Sequence, residues 1–267
     1  MKKAVKIILK TLLIIYLAAG IALYFLQDKI MFHPKVLPSD YVFKFTDSFK
    51  EASIRYDSAT TFHFVKFFPK DTAKGIVIYF HGNRGSIERY RRFVNNFTKH
   101  GYEVWMMDYV GFGKSTGIPG EQMMYEEAMQ IYKMARVHFT PQRIVIYGKS
   151  LGTGVATQLA SRRDCRRLIL ETPYYSMVSV AQHYAWMYPV SLMVKCKLPT
   201  NEYLPKVTAP VTIFHGTEDD VIPYSNAVKL KTLLKPGDEF ITLPGGDHRN
   251  LNSFPVMQQK LDSLLSD

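Results

Sequence analysis

Cysteine is nearly absent. The 267 residues contain only Cys165 and Cys196, too few for a disulfide framework or a zinc cluster. Cys165 precedes an expected strand and Cys196 falls in an expected cap on the opposite side, so two separate thiols are expected. No His/Asp cluster has metal-ligand spacing, and neither a metal nor another cofactor is expected. Internal repeats and low-complexity tracts are also missing, and 47% apolar residues suffice for a full core rather than a disordered chain. Acidic residues are in short supply: 23 against 34 Lys and Arg leave a net charge of +11. Lys2, Lys3, Lys6 and Lys10 hold part of it, and Arg84, Arg89, Arg91, Arg92, Arg162, Arg163, Arg166 and Arg167 form local groups. No recognition motif accompanies this charge, so nucleic acid is not an expected partner. Solvated helix faces and loops account for it, with anionic membrane surfaces or acidic substrates as the functional alternative.

A phosphate-binding loop is excluded as well. Gly-Lys-Ser occurs at 148–150 and at 113–115, but the loop needs a glycine five positions before the Gly-Lys pair. Those positions hold Arg143 and Asp108.

What remains around Ser150 is a different pattern. Arg143-Ile144-Val145-Ile146-Tyr147 reads as a strand, Gly148-Lys149-Ser150-Leu151-Gly152 as G-x-S-x-G, and Thr153-Gly154-Val155-Ala156-Thr157 as the start of a helix. Strand, G-x-S-x-G and helix make a nucleophile elbow, whose strained turn holds the serine Oγ out of the sheet.

The N-terminus carries the one long apolar run. Ile7 to Leu26 is broken by a single charge, Lys10, which lies near one end and can snorkel. Twenty such residues span the hydrocarbon layer as a helix. The lysine excess before the run puts the N-terminus in the cytoplasm and the catalytic domain on the extracytoplasmic side. The rival is a cleaved signal peptide, with small residues at Gly20-Ile21-Ala22. Leu23-Tyr24-Phe25-Leu26 continues the run and favours a retained single-pass anchor. We therefore divide the chain into an anchor at 1–30 and one domain at 31–267.

That domain alternates short apolar strands with helices. Strands are expected at Phe62–Phe68, paired as a hairpin with an earlier segment, and at Gly75–Phe80, Tyr102–Met107, Arg143–Tyr147, Leu168–Leu170, Val211–Phe214 and Phe240–Leu243. Helices are expected at Ser86–His100 with Ser86 as N-cap, and at Glu121–Phe139, Ser225–Leu234 and Phe254–Leu265. This order implies an α/β fold: a mostly parallel sheet flanked by helices on both faces. Chemical groups in such sheets gather at the strands' carboxyl ends, and every turn of chemical interest lies there.

A serine needs a base to take its proton, and the base needs a carboxylate to orient it. In elbow enzymes these follow in the order Ser, Asp/Glu, His. His183, His215 and His248 follow Ser150. His248, in Gly245-Gly246-Asp247-His248 after the last strand, is the expected base. His215-Gly216 and His81-Gly82 read as braces at strand ends. The acid should lie in the loop after Val211–Phe214, where Glu218, Asp219 and Asp220 all qualify. The oxyanion needs backbone N–H donors: Leu151 supplies one, and Asn83 is the expected second, with Arg84 the alternative.

Taken together, these residues resemble an α/β-hydrolase of the membrane-anchored BEM46/ABHD13/ABHD17-like branch. The matching pieces are the anchor followed by Phe32-His33-Pro34, Tyr79-Phe80-His81-Gly82-Asn83, Asp108-Tyr109-Val110-Gly111-Phe112-Gly113-Lys114-Ser115 with Gly117 and Pro119, the elbow, Glu171-Thr172-Pro173-Tyr174 and Gly246-Asp247-His248. The resemblance implies that Asp219, three residues after the His-Gly pair, is the triad acid, with Asp220 as runner-up. It also implies a small helical cap at about 174–200, a stretch rich in Met, Tyr and Val. That cap reads either as an acyl-binding lid or as ordinary packing. Val110 and Arg84 depart from the branch's usual residues. The implied activity is a serine hydrolase cleaving carboxylic esters or thioesters, including lipid-like acyl substrates. A serine peptidase-like enzyme and a non-catalytic membrane-tethered binding protein are the alternatives.

Overall fold

The computed structural model describes residues 2–266. The N-terminal run forms one continuous helix, Lys2–Met31, with no fully buried residue. It is long and apolar enough to cross a membrane. Among its described residues only Gly20, Leu23, Gln27 and Met31 are half-buried. That spacing of three and four puts them on one stripe, which faces the rest of the protein.

Ten strands follow, β1 His33–Pro34, β2 Phe49–Arg55, β3 Thr61–Phe67, β4 Gly75–Phe80, β5 Arg84–Gly85, β6 Tyr102–Asp108, β7 Ile144–Lys149, β8 Arg167–Glu171, β9 Val211–Gly216 and β10 Glu239–Leu243. Eight of them make the main sheet in the order β10-β9-β8-β7-β4-β6-β3-β2. The run from β10 to β6 is parallel. At the other edge β3 pairs antiparallel with both β6 and β2, so the expected hairpin forms. The short β1 and β5 pair with each other, His33 opposite Arg84.

The central strands are buried on both faces, which is why they read as unbroken apolar runs. Along β4 the side chains alternate between two cores: Ile76, Ile78 and Phe80 in one, Val77 and Tyr79 in the other. The first core is closed by the helices Glu121–His138 and Leu151–Ala160, through Ala128, Ile131, Ala135, Val155 and Leu159. The second is closed by the helix Pro255–Ser266 and by the segment 87–98, through Met257, Leu261, Ile87 and Phe97. Between β8 and β9 the chain leaves the sheet and winds into the short helices Met177–Tyr184, Val190–Met193 and Thr200–Tyr203.

Two expected helices differ. The stretch after Ser86 is wound as two four-residue α-helical pieces, Ile87–Tyr90 and Asn95–Thr98, around a 3-10 turn. Ser86 stands at the N-cap but its hydroxyl makes no cap bond; the N–H of the first helical residue, Ile87, donates to Asp108 Oδ1 at 2.8 Å. The stretch expected at Ser225–Leu234 is helical only over Tyr224–Ala227, and then continues as a 3-10 helix over Val228–Leu233. Cys165 and Cys196 are both free thiols, and burial pushes Cys165 up to about 12.

Candidate active site

β7 runs straight into the helix Leu151–Ala160 with Ser150 alone between them. Ser150 has φ 51° and ψ −120°, a conformation that costs on the order of 1–3 kcal/mol and persists only where the surroundings enforce it. They do so here from both sides. The Ser150 N–H donates to the Glu171 carbonyl at 2.9 Å, and the Thr153 N–H donates to the Ser150 carbonyl at 2.9 Å. Two glycines make room: a Cβ on Gly148 would stand 2.6 Å from the Gly152 carbonyl oxygen, and one on Gly152 would overlap the Phe80 carbonyl.

Ser150 Oγ lies 2.8 Å from His248 Nε2. On the other side of the ring, His248 Nδ1 lies 2.8 Å from Asp219 Oδ2 and 3.1 Å from Oδ1. Asp219 Oδ1 also accepts from the N–H groups of Val221, at 2.9 Å, and Ile222, at 2.7 Å. The side chain of Asp219 is fully buried. Burial alone would raise its carboxyl, but the hydrogen bonds and charge of His248, with the Ile222 N–H, hold it below the ordinary carboxylate value. The other two candidates in that loop, Glu218 and Asp220, are exposed, and Asp220 faces Arg249 at 3.4 Å. His215 is buried beside Asp219 and braces the loop through Nε2, 3.0 Å from the Ile222 carbonyl. Burial pushes its imidazole below the ordinary value, against the pull of Asp219. His81 likewise sits at the end of β4, with Nδ1 2.7 Å from the Gly82 carbonyl. His183 is exposed on the cap.

Leu151 opens its helix, so its N–H belongs to the first turn that has no intrahelical acceptor, and the helix dipole favours negative charge beside it. Asn83 and Arg84 follow β4 and line the same cavity as Ser150. Asn83 is clamped to the end of the N-terminal helix: its side-chain amide donates to the Met31 carbonyl at 2.6 Å, and its carbonyl accepts from the His33 N–H at 2.9 Å.

Beneath the elbow lies a polar cluster that the sequence did not announce. Lys149 and Glu171 form a buried ion pair. Glu171 also accepts from the Tyr147 hydroxyl at 2.5 Å and from Asn252 Nδ2 at 2.8 Å, tying the loop after His248 to β8. The only local trace is a lysine at the variable position of the elbow.

The cavity above Ser150 measures about 530 Å³. Its lining has two characters. Arg84, Arg89 and Arg92 rim one side, and none has a carboxylate partner among the described residues. The other side is apolar and comes from two places distant in sequence, the cap with Val180, Tyr188 and Met193, and the N-terminal helix with Leu23 and Ile30. Helix and cap are joined by directed contacts. Gln27 Nε2 donates to the Met193 carbonyl at 3.1 Å, and Gln27 Oε1 accepts from the Lys195 N–H at 2.8 Å. The rings of Tyr16 and Tyr188 stack 4.6 Å apart. The Tyr188 hydroxyl donates to the Tyr16 carbonyl at 3.0 Å, and the Tyr16 hydroxyl to the Met187 carbonyl at 2.8 Å. Sequence reasoning missed this wall. Its one signal is Gln27, a neutral polar residue on the same helical stripe as Gly20 and Leu23.

Residues 71–201 match the Hydrolase_4 family, described as serine aminopeptidase. The chain is 29% identical over 195 residues to alpha/beta hydrolase domain-containing protein 17C of Xenopus tropicalis, covering 71% of this chain and 61% of that protein. It is 30% identical over 187 residues to YfhR of Escherichia coli, covering 67% of this chain and 65% of that protein. It thus spans about three fifths of the length of the first of these relatives. Among solved structures it is similar to an esterase of Pyrococcus furiosus, with a TM-score of 0.68 at 18% identity over 88% of this chain and 97% of that one. An alpha-beta hydrolase of Vibrio vulnificus gives 0.67 at 19% identity over 82% and 80%. Fold, sheet order and sequence relatives agree: the chain has the α/β-hydrolase fold, and its sequence is similar to the 17C-type alpha/beta hydrolase domain-containing proteins.

Proposed function

We propose that this chain is a serine hydrolase that cleaves carboxylic esters or thioesters through an acyl-Ser150 intermediate. The observation that carries the reading is the continuous line from Ser150 Oγ through His248 to Asp219, 2.8 Å at each step. His248 Nε2 takes the Ser150 proton as Oγ attacks the substrate carbonyl. Asp219 accepts the Nδ1–H bond, fixes the tautomer and stabilises the imidazolium. The N–H groups of Leu151 and Asn83 receive the developing oxyanion. His248 then protonates the leaving alcohol or thiol. In the second half it activates water, which attacks the acyl-serine and releases the acid and free Ser150. The apolar wall receives the acyl chain, and the arginine rim suits an acidic group near the scissile bond.

The N-terminal helix anchors the domain in a membrane as a single pass, with its lysines on the cytoplasmic side and the domain extracytoplasmic. Its contacts with the cap through Tyr16 and Gln27 support a retained helix over a cleaved one. Protease protection of the domain in sealed vesicles tests the orientation; digestion from the cytoplasmic side would reverse it.

The test of the chemistry is hydrolysis of p-nitrophenyl acyl esters, with Ser150→Ala alongside. Wild-type turnover and labelling by a fluorophosphonate are expected, and both are lost in the variant. Equal activity of the two would refute the reading. The description of the matched family favours a second one, an aminopeptidase. Faster cleavage of aminoacyl p-nitroanilides than of any ester would select it.

A further inference from the structure

From Pro173 to Val194 the cap contains no Asp, Glu, Lys or Arg. Tyr184, Trp186, Met187 and Leu192 lie exposed within it, Trp186 at 71% and Leu192 at 84%. Four large apolar side chains open to solvent within nine residues mark a surface made for something other than water.

The neighbouring helix identifies what that is. Tyr188 stacks on Tyr16, and Tyr16 lies ten residues inside the apolar run that ends at Leu26. At 1.5 Å per residue this is about 15 Å into the run, close to half of a hydrocarbon layer of about 30 Å. A helix that spans the membrane therefore carries the cap segment around Tyr188 into the leaflet with it. The polar groups at that depth are already satisfied: each tyrosine hydroxyl donates to a carbonyl across the contact, as burial in lipid requires. Charge returns at the height where head groups begin. Lys195 stands over the Tyr24 ring at 4.8 Å, and Arg84 lies beside His33, two residues beyond the helix. Leu23 of the helix and Tyr188 of the cap, both at the depth of the apolar run, line the cavity above Ser150 together with Ile30 and Met193, so part of the cavity's apolar side lies within the leaflet.

We infer that the cap is inserted in the membrane beside the N-terminal helix, and that the substrate is a bilayer-resident acyl ester or thioester that enters sideways, acyl chain first. This rests on the hydrolase and anchor readings above. The occupant of the exposed cap face is lipid. The helix is then a wall of the substrate site as well as a tether, and Leu23, Gln27 and Ile30 contribute to acyl selection.

The full chain reconstituted in phosphatidylcholine–phosphatidylglycerol vesicles provides the test. The protein has two tryptophans, and Trp105 is buried in the core at 1% exposure, so quencher-sensitive emission reports Trp186. Phosphatidylcholine brominated in its acyl chains should quench that emission and aqueous iodide should not; Trp186→Phe should remove the quenching. Quenching by iodide and not by bromolipid would place the cap in water and overturn the inference. Insensitivity to both would mean a protein covers the face, which overturns it equally. A second arm uses Trp186→Asp with Leu192→Asp, neither of which lines the cavity. Hydrolysis of a long-chain acyl ester embedded in the vesicles should fall about tenfold or more on losing both interfacial anchors, with soluble p-nitrophenyl butyrate hydrolysed as before. Equal loss on both substrates, or on neither, would overturn the sideways entry. A wild-type chain silent on both esters would sink the hydrolase reading and the substrate half of this inference, while the quenching still decides insertion.

Discussion

The floor and the roof of the cavity are built on opposite principles. The floor consists of groups at the carboxyl ends of β4, β7, β8, β9 and β10, held by directed hydrogen bonds: Ser150 to His248, His248 to Asp219, Asp219 to Val221 and Ile222. The roof consists of the N-terminal helix and the cap, held by apolar contact and the few polar ties of Gln27 and Tyr16. Bond making tolerates little misplacement, and the floor is buried and multiply bonded. Recognition of a flexible acyl chain needs only volume and hydrophobic surface, and the roof supplies those. The contrast predicts that damage to the floor lowers turnover on every substrate, whereas damage to the roof changes which substrate is preferred.

The largest expected effect is that of Ser150→Ala, a loss of about 10⁴-fold or more in kcat on short and long esters alike. A roof that held chemistry of its own would leave one substrate class alive. Asp219→Asn follows, with a loss of about 10²–10⁴-fold from the wrong imidazole tautomer. It also has a signature in stability. A carboxyl held below its unfolded value, near 3.9, contributes stability that is fully present above that value and is lost as pH falls through the folded one. The melting-temperature gap between wild type and Asp219→Asn should thus be widest above about pH 5 and close below about pH 4. A gap independent of pH would detach Asp219 from His248.

Lys149→Met comes next. It leaves Glu171 buried without its cation, which costs about 3–5 kcal/mol, and chemical denaturation should register that as a lower midpoint. An unchanged midpoint would mean that Tyr147 and Asn252 alone satisfy the carboxylate. Gln27→Ala acts on the roof. It removes three hydrogen bonds of about 0.5–1.5 kcal/mol each, two of them to the cap, and KM should rise more for long-chain than for butyryl esters; a larger effect on butyryl esters would put Gln27 with the floor. Smallest is Arg84→Ala, about two- to threefold in KM for esters with an acidic group, vanishing at high salt because exposed charges are screened. A salt-independent effect would move Arg84 from the rim into direct contact with substrate.

The same division governs what the sequence discloses. Strands such as Gly75–Phe80 are legible because burial on both faces demands unbroken apolar residues. Ser150 and His248 are legible because a strained turn needs glycines and a histidine in the loop after the last strand overhangs that turn. Asp219 stood among three carboxylates, since Glu218, Asp219 and Asp220 share one loop and no periodicity separates them. What distinguishes Asp219 is the turn itself, whose Val221 and Ile222 N–H groups bend back to its Oδ1. The helix expected after Ser86 has the right apolar spacing, yet it forms as short pieces, with its first N–H, that of Ile87, held by Asp108 of the neighbouring strand. The roof leaves almost no trace in sequence. Its contacts join residues more than 160 positions apart, and apolar residues facing lipid look the same as apolar residues facing a cap.

The clamp between Asn83 and Met31, with the helix wall above it, has a consequence at the bench. Any surfactant that extracts the N-terminal helix is itself a hydrocarbon tail with a polar head, the shape of the substrate proposed for this cavity. On the proposed acyl-hydrolase reading, protein purified in micelles is bathed in a competitor, and its apparent affinity for long-chain esters should fall as micelle concentration rises. Trimming the helix away to avoid surfactant would remove one side of the cavity and loosen the turn that holds Asn83. Lipid nanodiscs avoid both, and substrate preferences measured there and in micelles should disagree most for the longest chains.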